Sequence, residues 1–234
     1  MELVLAGLYT IPLTYVMRNL YKFKFFENKK AYPLDSVNTG DIIFMSHNTS
    51  NALNNMVNIE FTHIAMAYRD VSGELYIVEL TSEGDSPNGN KYPDIYPFLS
   101  RYSRYNGYFC VRPCRYEVPN DLMFNAYKRL KRAGVTFDYK FVANFLKSRI
   151  GLRRDVHSPN DDGEYELCCS EFVYLMLCNM GLIKYDDDDF HDSFRFLSGD
   201  EISDIYYDIM DIDTDYRDDH LSVVRERSLL ETTV

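Results

Sequence analysis

Two adjacent cysteines, Cys168 and Cys169, precede an apolar stretch that runs to Gly181. The helical spacing of its apolar residues, with the glycine as a typical C-cap, predicts a helix whose first turn holds a thiol. Backbone N–H groups and the dipole at a helix N-terminus stabilise the nucleophilic thiolate. The same N–H groups can hold the oxyanion of an acyl transfer. Either cysteine can face such a site, because a helix start shifted by one residue exchanges them.

A histidine and a glutamate from the first half of the chain can complete this chemistry. His63 and Glu79 lie in two apolar segments joined by a glycine-containing loop, which indicates a β-hairpin. With the loop centred on Val71, the two residues pair directly across the hairpin, with Cβ atoms about 4.5–5.5 Å apart. The carboxylate then orients the imidazole and stabilises its charge. A register slip of one residue would place them on opposite faces, and a purely structural pair is the alternative.

Other segments predict the elements that position these residues. A turn at Asn38 to Asp41 precedes a buried strand over Ile42 to Met45, and another strand covers Gly107 to Arg112. Capping residues precede a helix over Leu122 to Ala133, and a second helix is expected to start near Asp138. Strands and helices in this order predict an α+β fold.

Composition and charge exclude several classes of protein. The chain has 234 residues, 46% of them hydrophobic, and it carries no repeat, which excludes wholly disordered and fibrous proteins. Of the net charge of −11, the stretch Asp186 to Asp219 holds 14 acidic residues against two arginines, whereas Lys128 to Arg154 holds nine basic residues. The sequence carries no known nucleic-acid-binding signature, so no nucleic acid partner is expected.

The five cysteines show no metal-binding spacing, so neither a metal nor another cofactor is expected. Their odd number favours a reducing, intracellular compartment over a disulfide-bonded secreted protein.

The two ends of the chain differ from the body. Residues 3–17 carry no charge and are followed by a basic stretch, but they are too few for a membrane span of about 20 residues. Residues 3–30 are therefore interpreted either as an interfacial membrane anchor or as a segment packed on the body. The acidic end is expected to form an amphipathic helix that covers the body or leads into a tail. We divide the chain into an N-terminal segment (1–32), a body (33–185) and an acidic extension (186–234).

Four motifs occur in an order that resembles a known superfamily. They read, along the chain, G-D-I-I-F, F-T-H-I-A-M, Y-I-V-E-L and C-C-S-E-F-V. Their sequence and apolar surroundings resemble the circularly permuted branch of the NlpC-type papain-like superfamily, which includes YiiX-like proteins and a poxviral group. The resemblance implies a small antiparallel sheet or half-barrel packed against helices, with the nucleophile at a helix N-terminus. It covers residues 37–182.

The resemblance also implies roles for particular residues. The nucleophile matches Cys169, the general base matches His63, and the group that orients the imidazole matches Glu79. Candidates for the substrate site are Asp138, Tyr139, Ser170 and Cys168.

These features favour a thiol-dependent hydrolase or acyltransferase that acts on an amide or ester bond through a thioester. A peptide or a lipid-like compound is the expected substrate, and the basic and apolar stretches favour the lipid-like, membrane-proximal one. A catalytically idle papain-like scaffold, serving as a virion or membrane-associated protein, is the alternative, because fold does not imply function. The abundance of tyrosine, together with the resemblance, is consistent with a viral origin. The oligomeric state is not predicted.

Overall fold

A computed structural model describes residues 31–47, 61–82, 86–104, 107–139, 159–160 and 162–212. The strands of this part of the chain are β1 Ala31–Tyr32, β2 Ile42–His47, β3 His63–Arg69, β4 Leu75–Glu79, β5 Asp94–Pro97, β6 Gly107–Arg112, β7 Val135–Phe137, β8 Tyr165–Leu167 and β9 Met210–Ile212. Its α-helices are α1 Phe98–Arg104, α2 Asn120–Arg132, α3 Cys169–Asn179, α4 Asp187–His191 and α5 Ser193–Ser198.

Seven strands form one sheet in the order β1-β9-β6-β2-β3-β4-β5, and β7 pairs with β8 separately. All neighbours in the large sheet are antiparallel except β1 and β9, which run parallel. The predicted α+β class is therefore confirmed as a mixed fold with a mostly antiparallel sheet.

The central strands are apolar on both faces, because each face is covered. On one face, Ile42 and Phe44 of β2 join the larger hydrophobic cluster, which includes side chains of α2 and α3. On the other face, Ile43 and Met45 join a smaller cluster that includes Phe98 of α1. Continuous apolar runs are typical of strands buried on both faces. The sheet thus holds α1 on one side and the cysteine helix α3 on the other.

Several local predictions are confirmed. The strand predicted over Ile42 to Met45 is β2, the hairpin is β3 and β4, and the strand over Gly107 to Arg112 is β6. The helix predicted over Leu122 to Ala133 is α2, which starts two residues earlier and ends one residue earlier. The helix predicted to start near Asp138 falls largely on residues 140–158, which lie outside the described residues.

The interpretation of the acidic segment as one amphipathic helix is wrong. Its described part forms the short helices α4 and α5 and a 3-10 turn, and it ends in β9. Strand β9 inserts between β1 and β6, pairing Met210 with Val111 and Asp211 with Cys110. Backbone pairing within the sheet outweighs the helical spacing of the local sequence. Phe190 and Tyr206 of this segment are buried in the larger cluster.

Three stretches considered above fall wholly or partly outside the described residues. The proposed anchor at residues 3–30 is outside the described residues, as are residues 140–154 of the basic stretch and residues 213–234 of the acidic extension. In the part of the chain that the structure describes, no helix has the length and apolar character needed to cross a membrane.

Candidate active site

The start of α3 distinguishes the two adjacent cysteines. Cys168 is the N-cap and Cys169 is the first helical residue. The Cys168 N–H donates to Glu171 Oε2 at 2.7 Å, and the Glu171 N–H faces the Cys168 sulfur in return. This reciprocal capping box fixes the helix start. Cys168 is therefore part of the helix cap, and Cys169 is the thiol that contacts His63.

His63 and Glu79 meet, but not as the direct cross-strand pair that the sequence predicted. The hairpin ladder pairs Met66 with Val78 and Ala67 with Ile77, so its register places Glu79 opposite Ala65. His63 lies two residues further along, as a diagonal neighbour on the same face. Diagonal neighbours lie about 7–8 Å apart, within reach of long side chains. His63 Nε2 accordingly lies 2.7 Å from Glu79 Oε2, and both side chains are buried.

The position of the loop explains the error in register. Residues 70–74 connect the strands, so the loop is centred on Ser72 rather than Val71. The Asp70 carboxylate accepts hydrogen bonds from the Ser72 and Glu74 N–H groups and thereby closes this loop. The register moves by two residues, which preserves the face of each side chain.

Cys169 and His63 lie beside each other, and the electrostatics of the pair favour a thiolate and an imidazolium. Burial by itself would raise the pKa of Cys169. The charge of His63, its hydrogen bond and the N–H groups of Ile64 and Ser170 outweigh burial and lower this pKa below its usual value of 9.0. A thiol held beside a cation at a helix N-terminus is the typical setting of a reactive cysteine.

The pKa of the His63 imidazole shifts in the opposite direction to that of Cys169. Burial by itself would lower the pKa of His63, but the charges of Glu79 and Cys169 and the hydrogen bonds to them raise it to about 9. Since Nε2 is bonded to Glu79, Nδ1 is the ring nitrogen left to exchange a proton with the thiol. The pair is thus poised for nucleophilic chemistry.

Cys168 and Ser170 occupy structural positions. Burial, together with the charges of Glu171 and Cys169, raises the pKa of Cys168 well above its usual value, which keeps this thiol protonated. Its sulfur lies 3.2 Å from Ser170 Oγ, which also accepts a hydrogen bond from the Ser193 hydroxyl of α5. Ser170 therefore links α3 to α5.

The second oxygen of Glu79 has partners that the sequence analysis missed. The hydroxyl of Tyr96 in β5 donates to Glu79 Oε1. Arg101 of α1 places Nε 3.4 Å from the same oxygen, and its side chain is buried. A sequence signal exists, because Arg101 follows Phe98 by three residues on a face of α1 that is otherwise apolar. A buried arginine needs a counter-charge, and Glu79 supplies it.

The backbone of Asp138 lies close in space to the residues that precede α3, and Tyr139 follows it in the chain. The Asp138 N–H donates to the carbonyl of Leu167, the residue before Cys168, and the Asp138 side chain is fully buried. Tyr139 is exposed and packs edge-on against Phe137. Of the two, Tyr139 is the side chain that solvent reaches.

Three further observations concern the surroundings of the site. A cavity of about 390 Å³ lies beside α3, but its lining, which includes Leu167, Leu175 and Phe190, contains none of Cys169, His63 and Glu79. Among the described residues, no group of three or more His, Cys, Asp and Glu side chains is arranged to hold a metal ion. All five cysteines are free thiols.

Comparison of the chain with the models of known protein families finds no match, and comparison with curated proteins finds none either.

Proposed function

We propose that the protein is a cysteine hydrolase or acyltransferase that acts on an amide or ester carbonyl, with Cys169 as nucleophile. The observation that carries this proposal is the chain Cys169–His63–Glu79, which starts at the first residue of α3 and continues to a buried imidazole and carboxylate. A thiol, an imidazole and a carboxylate linked in this order match the arrangement by which cysteine enzymes activate a nucleophile. The Cys169 side chain is partly exposed, so a substrate can reach it.

Each residue has a role in the proposed reaction. The Cys169 thiolate attacks the carbonyl carbon and forms a C–S bond, while N–H groups of the first turn of α3 hold the oxyanion. The His63 imidazolium gives its proton to the leaving nitrogen or oxygen as that bond breaks, which leaves a thioester. Water or a second nucleophile then attacks the thioester, and His63 takes up its proton. Breakage of the C–S bond restores the thiolate.

The papain-like, circularly permuted architecture is part of the same proposal. It is supported by the strand that carries His63, the adjoining strand that carries Glu79, and the later helix that begins with the thiol. A lipid-like substrate is the class that the apolar N-terminal segment and the basic residues of α2 favour. Lys128 and Arg132 are exposed on that helix and supply positive charge.

The decisive experiment measures how fast each cysteine reacts with iodoacetamide as a function of pH, with the modified residue identified by mass spectrometry. We expect Cys169 to be alkylated rapidly well below its usual pKa of 9.0, because the imidazolium stabilises the thiolate. The variant His63→Ala should lose this acidic reactivity. Cys168→Ser serves as the control that removes a neighbouring thiol and keeps the pair.

Slow alkylation of Cys169 with the pH profile of an ordinary thiol would contradict the proposal. It would favour the alternative, a papain-like scaffold without catalytic activity. If reactivity at acidic pH disappears in Cys168→Ser but survives in Cys169→Ser, then Cys168 and not Cys169 is the nucleophile.

A further inference from the structure

The triad of the proposed reaction does not end at its carboxylate. Glu79 is fully buried at the end of β4, and each of its two carboxylate oxygens contacts different residues. Oε2 holds His63, whereas Oε1 accepts from Tyr96 and lies 3.4 Å from Arg101 Nε. We propose that Arg101 and Tyr96 are positioning residues that hold Glu79 in place beside His63, and so sustain the thiolate–imidazolium pair. This inference rests on the proposed function.

The geometry assigns the two residues different contributions. Tyr96 lies on β5, next to β4, and donates a hydrogen bond that fixes the carboxylate plane. Arg101 reaches Glu79 from α1, which packs on the sheet face opposite α3. The carboxylate is thus held from two elements that do not carry the reacting groups. A buried carboxylate with partners on both oxygens has a single orientation, which in turn fixes the imidazole.

Charge balance gives Arg101 a role that packing does not supply. In the reactive form, the charges alternate along one chain of side chains, from a positive Arg101 and a negative Glu79 to a positive His63 and a negative Cys169. The first three of these residues are buried. The four charges sum to zero, which low-dielectric surroundings favour. Without the guanidinium the remaining three groups carry a net negative charge. Such a cluster takes up a proton more readily, and the proton neutralises the thiolate.

Other ionisable groups beside Glu79 or beside the two cysteines do not replace Arg101. From β5, Asp94 is the register partner of Glu79, and its Oδ2 accepts hydrogen bonds from the side chains of Asn88 and Asn90. From α3, Glu171 is engaged by the Cys168 N–H. Both are acidic and cannot balance Glu79. Within the described residues, Arg101 is the arginine or lysine that forms an ion pair with this carboxylate.

The test compares the pH profile of Cys169 alkylation in the full chain and in its variants. Arg101→Gln removes the positive charge, and we expect the midpoint of the acid limb to rise by about one pH unit, a tenfold loss of rate on that limb. Arg101→Lys restores a positive charge, so its midpoint should lie closer to that of the parent. Tyr96→Phe removes a hydrogen bond without a charge and should shift the midpoint upward by less.

A matched control separates this role from packing. Arg112 is also buried, with its guanidinium on the carbonyls of Leu197 and Tyr207, and Arg112→Gln should leave the midpoint unchanged. Unchanged midpoints in Arg101→Gln and Tyr96→Phe would overturn the inference, provided that the parent shows the acidic reactivity. If Arg101→Gln does not fold, Tyr96→Phe decides, and a parental midpoint in that variant overturns the inference. A parent without acidic reactivity refutes the proposed function instead.

Discussion

The charge of Glu79 should control the protonation of His63, and Glu79→Gln isolates this charge with little change of shape. In the parent, Glu79 Oε2 lies 2.7 Å from His63 Nε2, and the pKa of His63 is raised to about 9 from its usual 6.5. Burial opposes this rise and is the largest single influence. Glu79 is the strongest of the attractions that overcome it. In Glu79→Gln, burial is opposed mainly by Cys169.

The expected size of the change follows from these values. A pKa of about 9 against 6.5 corresponds to about 3 kcal/mol in favour of the imidazolium. The attractions must exceed this amount, because they also offset burial. We therefore expect the pKa of His63 to fall by about 2 pH units or more in Glu79→Gln. The upper pH limit of the thiolate–imidazolium pair falls with it, from about 9 towards neutrality.

The assay is NMR of histidine Cε1–H groups in labelled protein over a pH titration. The chain has five histidines, and the His63 signal is the one that disappears in His63→Ala. Glu164→Gln is a matched control, because it also breaks an ion pair, with Lys91 at 2.7 Å, without touching His63. Glu79→Gln leaves Arg101 buried beside an uncharged partner, which costs about 3–5 kcal/mol of stability. The double variant with Arg101→Gln removes this cost.

The same titration contains the result that would refute the reasoning. A His63 midpoint that stays near pH 9 in both Glu79→Gln and the double variant would mean that Glu79 does not stabilise the imidazolium. The raised pKa would then have to come from Cys169, and Cys169→Ser would lower it alone.

Two further predictions concern stability and membrane binding. Burial raises the pKa of Asp41 to about 6, so the folded state keeps this proton over a range where the unfolded chain has released it. The free energy of unfolding should therefore fall by about 2 kcal/mol as pH rises from about 4 to about 6. Urea titrations should show that Asp41→Asn lacks this fall, and an equal fall in the variant would contradict the assignment. Deletion of residues 1–30 should abolish sedimentation with anionic vesicles, while full-length Cys169→Ser keeps it. Retained binding by the truncated chain would place the membrane contact elsewhere.

The elements that the sequence predicted are those specified by local patterns. Strand β2, the hairpin and helix α3 each follow from an apolar run bounded by turn or cap residues. The predicted register of the hairpin was wrong because the register depends on the loop, whose centre is set by the hydrogen bonds of Asp70. Strand β9 was missed because three residues in an acidic, helix-like stretch carry no strand signal of their own. Its pairing with β6 spans about a hundred residues of chain.

The candidate site likewise contains residues that the sequence predicted and residues that it did not. Cys169, His63 and Glu79 were predicted from motifs and helix position, and the structure brings them together. Tyr96 and Arg101 were missed because their contact with Glu79 depends on how β5 and α1 pack on β4. The spacing of Arg101 from Phe98 indicates a buried arginine, but it does not indicate which carboxylate the arginine contacts. Contacts between separate elements arise from tertiary packing, which short motifs do not encode.

The position of β9, late in the chain yet between β1 and β6 in the sheet, has a consequence for synthesis on the ribosome. Among the described strands, β1 pairs with β9 alone, and β6 has β9 as its outer neighbour. A nascent chain that has emerged as far as α3 already contains all three triad residues but leaves the edge of β6 unpaired. Unpaired edges invite association with other chains, and pairing between distant segments forms slowly. Completion of the sheet therefore waits for residues 210–212, so Cys169 emerges before the sheet is complete.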